Sequence, residues 1–172
     1  MKVIFLDVDG VLNSSVFLEV NKPEYRGSRQ VVRLEGVIID RKNVAVLKEI
    51  IEKTGAAIVL SSGWKFRFDE EMKPQTEEAG ILYSILDEYG IRLYGKTPDF
   101  STEEIRRELK FSKVKAKEIK AWMGMHKDID SFIVLDDLDL NDEEINSRLI
   151  RINSVTGFTE HDAASAILML EH

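Results

Sequence analysis

Lys2-Val3-Ile4-Phe5-Leu6-Asp7-Val8-Asp9-Gly10-Val11-Leu12 decides the fold. After Lys2, the residues Val3–Leu6 form a short apolar run, as expected of a strand buried on both faces, and the run ends on a carboxylate. Asp7 and Asp9 lie two residues apart just beyond the strand, so their side chains are close in space. Gly10 permits the sharp turn that lets a ligand approach the backbone. Neighbouring carboxylates repel one another unless a cation or a proton offsets them. Magnesium is the natural cation, because it takes oxygen ligands from a few carboxylates, water and phosphate. The competing reading of the motif is an Asp-Gly turn with incidental acids.

Outward from this motif, strands and helices alternate. Asp40 is placed to cap a helix that ends at Gly55, with Val44, Leu47, Ile50 and Ile51 on one face. The apolar run 57–60 reads as a second strand ending in Ser61-Ser62-Gly63. A helix is expected over 76–89 and a third strand over 91–94. Ser101-Thr102-Glu103-Glu104 has capping-box spacing, which starts a helix at Ser101. Another helix is expected over 113–123, then a strand over 132–135 running into Asp136-Asp137. A fifth strand is expected over 149–152. A last helix follows Thr159, with Ala163, Ile167 and Leu170 facing inward. This alternation predicts an α/β fold: a three-layer, Rossmann-like parallel sheet with helices on both faces. Ligands of such sheets bind beyond the carboxyl ends of the strands, at the switch in strand order.

The candidate chemical residues follow strands directly. Asp136-Asp137 forms a second carboxylate pair, for which a solvated acidic loop is the competing reading. Ser61 leaves the second strand at the same sheet edge and offers a hydroxyl to a phosphoryl oxygen. Ser62 competes for that role from one position farther out. Lys115 is chosen among Lys110, Lys113, Lys115, Lys117 and Lys120 to balance phosphoryl charge, because Ile119 one turn later faces the core. Trp64 is read as packing under a loop in preference to stacking on a base. Trp122 reads as core-edge packing, His126 and His161 as surface or capping residues, and Asn13 as ordering the turn.

Taken in order, these pieces resemble the four motifs of the haloacid-dehalogenase (HAD) superfamily. They are Asp-x-Asp-Gly-Val after the first strand, serine after the second, lysine opening a late helix, and paired Asp after the next strand. The match spans residues 3–137. Val11-Leu12-Asn13, the run from Val59 to Lys65, the segment 115–122 and Gly157-Phe158-Thr159 also resemble the HAD domain of Swiss army knife RNA-repair proteins. Those domains commonly carry arginine after the tryptophan and often at the start of the third-motif helix. Lys65 and Lys115 stand there in this chain, keeping the charge without the bidentate fork.

The resemblance implies a phosphohydrolase in which Asp7 is the nucleophile and Asp9 the general acid and base. It implies that Mg2+ is held by the Asp7 carboxylate, the Asp9 backbone carbonyl and Asp137, with Asp136 auxiliary. Ser61, Ser62, Gly10 and Lys115 would bind the phosphoryl group. HAD enzymes often carry a cap domain, but the segments 13–39 and 96–112 are too short for a folded one. A capless or nearly capless, open site is therefore expected, suited to a large substrate such as a polynucleotide end or a phosphoprotein. Rival readings are a response-regulator receiver, which accepts phosphate as a signal, a catalytically idle HAD scaffold, and a sugar phosphomutase.

Bulk properties fit one soluble domain over 1–169. The chain has 172 residues, 44% hydrophobic and 32% charged, with no cysteine, which excludes disulfides and thiolate metal sites. No apolar run is long enough to cross a membrane, and the first strand is too short for a signal peptide, so a cytoplasmic location is expected. Leu170-Glu171-His172 resembles the start of a vector-encoded tag. The net charge of −7 argues against tight nonspecific binding to nucleic acid. Lys22, Arg26, Arg29 and Arg33 nevertheless form a basic cluster that could meet a phosphate backbone, although a solvated surface is the simpler reading.

Overall fold

The computed structural model describes residues 1–21, 38–108 and 110–172. Five strands form one parallel sheet: β1 (Lys2–Leu6), β2 (Ala57–Leu60), β3 (Leu93–Lys96), β4 (Ser131–Asp136) and β5 (Leu149–Arg151). Their spatial order is β3-β2-β1-β4-β5. From β1 the chain steps outward to β2 and β3, then returns to place β4 on the other side of β1. The strand order therefore switches at β1. This is not the 2-1-3-4-5 order of the flavodoxin-like folds to which receivers belong, so the receiver reading is set aside.

Strand residues alternate between two cores. Ile4, Leu6, Ile58, Leu60, Ile133 and Leu135 join the larger one. There they meet α2 (Arg41–Thr54), α3 (Glu77–Glu88) and α7 (Glu160–Glu171) through Leu47, Ile50, Leu82, Leu86, Ala166 and Leu170. Val3, Phe5, Val59 and Val134 face the opposite way. They pack on Ala116, Ile119 and Trp122 of α5 (Ser112–Met125) and on Ile145 of α6 (Glu143–Asn146). Burial on both faces explains why these strands read as unbroken apolar runs. The remaining helices are short: α1 (Ser15–Val20) and α4 (Glu103–Glu108). None of the described helices is long and apolar enough to cross a membrane.

Register brings the chemistry to one edge. Leu6 lies opposite both Leu60 and Leu135. Asp7, Ser61 and Asp136 are the next residues of three adjacent strands. The turn after β1 is locked from the far end of the chain. Val11 O accepts from Asn43 Nδ2 at 3.0 Å and from Phe158 N at 3.1 Å. Gly157 has φ +76°, and a Cβ there would collide with the Asn43 amide. Glycine at 157 and the 11–13 turn are thus two sides of one contact.

Three boundaries differ from expectation. The β3 ladder begins at Leu93, because Ile91 N donates to Leu86 O and closes the end of α3. At α4, Thr102 Oγ1 rather than Ser101 accepts from Ile105 N, at 3.3 Å. Ser101 turns back to Asp99, which offers an acceptor two residues upstream. Helix α5 runs two residues farther than expected, to Met125. Between β3 and α5 the described residues contain one short helix, α4. The basic cluster Lys22, Arg26, Arg29 and Arg33 lies outside the described residues.

Candidate active site

Asp7 leaves β1 at the switch in strand order, buried at 5% exposure. Asp136 ends β4 with no exposure at all, and Asp137 follows it, half-buried. One carboxylate oxygen from each of the three lies within 4.8 Å of the others. The cation among them is Lys115, whose Nζ stands 3.2 Å from Asp7 Oδ2 and 2.7 Å from Asp136 Oδ2. Lys115 is itself only 4% exposed, whereas Lys113 and Lys117 face solvent and Lys120 pairs with Asp142 and Glu144.

This clustering moves the titrations. Burial raises the Asp7 carboxyl to about 6; Lys115 opposes that shift, Asp136 adds to it, and the Ser62 hydroxyl pulls it back. Asp136 is also raised by burial, against the pull of Lys115. Asp137 is raised by burial and then by the charge on Asp7. Burial alone would depress the Lys115 ammonium, but Asp7 and Asp136 outweigh it and raise the group above its usual range. Among the described residues, three carboxylates face one ammonium, which leaves the cluster short of positive charge, and every ligand atom offered is oxygen. That donor set suits a hard divalent cation.

The two oxygens of Asp136 are already engaged, Oδ2 by Lys115 and Oδ1 by Leu138 N at 3.0 Å. Asp136 is therefore built to hold Lys115, leaving Asp7 and Asp137 better placed for a metal. The Asp9 carboxylate is outside the trio. Its Oδ1 accepts from Asn13 Nδ2 at 2.9 Å and its Oδ2 from Trp64 Nε1 at 3.0 Å.

A cleft of about 480 Å³ opens over these groups. Asp7, Asp9, Ser62, Lys115 and Asp137 line it, with Leu18, Phe111 and Leu138 as apolar wall. Ser62 rather than Ser61 is the serine at the cleft. Past β2 the chain tightens into a 3-10 turn over Gly63–Arg67, which carries the second serine inward. Ser61 is 2% exposed, and its Oγ has no hydrogen-bond partner among the described residues. Gly10, expected among the phosphate-binding residues, donates its N–H to the backbone and side-chain oxygens of Asn13. Gly10 also meets a spatial demand. It sits at φ +79°, and a Cβ would stand 2.9 Å from Asp137 Cγ and Oδ2.

Two features were missed by sequence reasoning. Trp64 is packed as expected, 5% exposed, but its indole N–H also reaches the site. Lys65, 4% exposed, forms a buried ion pair with Glu118 at 2.7 Å. The last helix follows Thr159 as expected, with Thr159 and Asp162 forming a capping box, and His126 sits at the end of α5 as a capping residue.

A parallel sheet whose order switches at an Asp-x-Asp-Gly strand, with lysine and a second acid pair converging there, defines a HAD-like domain. The family model described as the HAD domain in Swiss Army Knife RNA repair proteins matches residues 3–163, and the chain belongs to that family. It is thereby a member of the HAD phosphohydrolase superfamily. Comparison with curated proteins and with solved structures gives no significant match.

Proposed function

We propose that this chain is a magnesium-dependent phosphomonoesterase that works through an aspartyl-phosphate on Asp7. The observation that carries the reading is the buried Asp7 carboxylate, 3.2 Å from Lys115 Nζ and grouped with Asp136 and Asp137 at the cleft. Asp7 Oδ would attack phosphorus in line while the bond to the leaving oxygen breaks, its electron pair going to that oxygen. Asp9 would give the leaving oxygen a proton. The resulting Asp9 carboxylate would then take a proton from water as the water oxygen attacks phosphorus and the bond to Asp7 breaks. Proton and electron pair return to their starting groups.

Lys115 has three N–H donors, two of them directed at Asp7 and Asp136, which leaves one for a phosphoryl oxygen. The single Ser62 O–H, which bonds Asp7 in the free protein, would turn to a phosphoryl oxygen as a second donor. Ser61 does not line the cleft, but its buried hydroxyl has no hydrogen-bond partner among the described residues, and it would become a third donor only if a bound phosphate drew it round. Mg2+, held by the Asp7 and Asp137 carboxylates and the Asp9 backbone carbonyl, would screen the nucleophile from the dianion it attacks. Asp136 would fix Lys115 beside it.

The substrate in this reading is a large one, a polynucleotide end before a phosphoprotein, and a cytoplasmic location goes with it. Support comes from the family and from the short connection between β3 and α5. The test is a screen of 3′- and 5′-phosphorylated oligonucleotides, phosphopeptides and phosphorylated metabolites, with and without magnesium. Phosphate release that requires magnesium and favours oligonucleotides is the expected result. No release from any class, or affinity for oligonucleotide that ignores salt, would overturn the reading.

Gly10→Ala tests the geometry of the metal position. The new methyl meets the Asp137 carboxylate and forces a positive φ on alanine. The expected loss of stability is about 1–3 kcal/mol. The rise in melting temperature on adding magnesium should shrink along with it. An unaltered magnesium response would show that Asp137 is not a ligand.

A further inference from the structure

The geometry points to Trp64 as a positioning residue that aims the Asp9 carboxylate at the leaving oxygen, and this rests on the proposed role of Asp9 as general acid. Trp64 lies fifty-five positions from Asp9 in the chain and comes from the loop after β2. The 3-10 turn plants it: Ser62 Oγ accepts from Trp64 N, and the ring sinks into the larger core. Outside, the Arg67 guanidinium lies 4.7 Å from the ring centroid and pairs with Glu78 at 3.5 Å. The indole is thus gripped on its buried side and covered on the other.

A buried indole uses its single N–H on a partner. Here the partner is Asp9 Oδ2 at 3.0 Å, while Asn13 Nδ2 holds Oδ1 at 2.9 Å. Asn13 is fixed in turn, its Oδ1 accepting from Gly10 N at 2.9 Å. An aspartate carboxylate otherwise rotates in a broad torsional well. Two donors from different segments stop that rotation, although Asp9 sits on the exposed side of the cleft. Proton transfer depends on such aim. Trp64 therefore belongs to the reaction and to the core at once.

Trp64→Phe keeps an aromatic side chain in the core but removes the N–H together with the five-membered ring that carries it. The measurement is kcat/KM with magnesium on p-nitrophenyl phosphate and on a simple alkyl phosphate; this constant covers the chemistry up to loss of the leaving group. Aryl oxide departs with little protonic help and alkoxide needs it. The variant should lose about 30- to 100-fold on the alkyl ester and only about threefold on the aryl ester. Equal losses on both would reveal a structural role and overturn the assignment. A wild-type protein inert on every ester would remove the function reading, and the assignment with it. The hydrogen bond is also tested without turnover, in the metal-free protein. The Trp64 indole N–H resonance should move upfield and exchange faster with solvent in Asp9→Ala; an unmoved resonance overturns the assignment whatever the activity.

Discussion

Asp7→Asn is expected to give a folded protein whose phosphatase turnover is lower by at least about a thousandfold, or about 4 kcal/mol of transition-state stabilisation. The amide has nearly the shape of the carboxylate but no oxygen able to form the acyl phosphate. Loss of folding is not the cause foreseen. Lys115 keeps its shorter pairing, to Asp136 Oδ2 at 2.7 Å, so the substitution leaves no unpaired buried ammonium. Stability of the metal-free protein should in fact rise. In the wild type, burial and Asp136 together push the Asp7 carboxyl up to about 6. Between its ordinary value and about 6, the folded protein holds a proton that the unfolded chain has already released. Stability from this group is therefore full at pH below 4 and is lost as pH rises towards 6 and beyond. Asp7→Asn removes that loss. Melting temperatures of metal-free wild type and variant should converge near pH 4. At pH 8 the variant should melt about 3–8 °C higher. Magnesium should raise the wild-type melting temperature most where Asp7 is ionised, and chelation should undo it. Near-normal phosphate release by Asp7→Asn would end the nucleophile proposal. A variant less stable at pH 8 would show that Asp7 is a structural partner of Lys115 instead.

What the sequence disclosed follows from parallel-sheet geometry. Strands that share a direction deliver their last residues to one edge, so Asp7, Ser61 and Asp136-Asp137 could be placed together without coordinates. Lys115 was reachable through helical periodicity, since Ile119 fixes which side of α5 faces the sheet. What stayed hidden depends on how the chain bends after a strand ends. Ser61 was favoured over Ser62 because it is nearer the strand, yet the 3-10 turn at Gly63–Arg67 carries Ser62 to the cleft. No periodic rule reports such a turn. The third strand was placed early because Ile91 is apolar; the residue is indeed buried, but its amide serves the end of α3. The partner of Trp64 could not be inferred either, since the same residue satisfies a packing role and a polar one. Lys65 was noted only as a replacement for arginine, and nothing local announces that its partner lies on α5.

That partner defines the second large effect. Lys65 Nζ donates to Glu118 Oε2 at 2.7 Å, to Pro98 O at 2.7 Å and to Thr97 Oγ1 at 3.3 Å. Glu118 Oε1 accepts from Phe100 N at 2.8 Å. Lysine, glutamate and the strand-following segment 97–100 thus close into one buried network that ties the serine loop to the helix carrying Lys115. Burial presses the Lys65 ammonium towards neutrality, and Glu118 is the first group opposing that shift. Glu118→Ala removes the counter-charge and orphans both Lys65 and the Phe100 amide. The expected cost is about 3–5 kcal/mol, because an ammonium left in a buried position has no compensation. Glu118→Gln should cost less, since its carboxamide oxygen can still accept. The decisive comparison is the pair Lys65→Met with Glu118→Leu. Each single change leaves an unmatched charge or its hydrogen-bonding partners, whereas the double variant removes both charges and fills the space with carbon. Stability should then recover by at least about 2 kcal/mol relative to Glu118→Ala. Activity should recover less than stability, because the tie that fixes the distance between the serine loop and Lys115 is gone. Denaturant unfolding and turnover measured on the wild type, Glu118→Ala, Lys65→Met, Glu118→Leu and the double variant separate these outcomes. If the double variant is no more stable than the singles, the network holds its place through the Pro98 and Phe100 backbone bonds, and the charge pair is incidental.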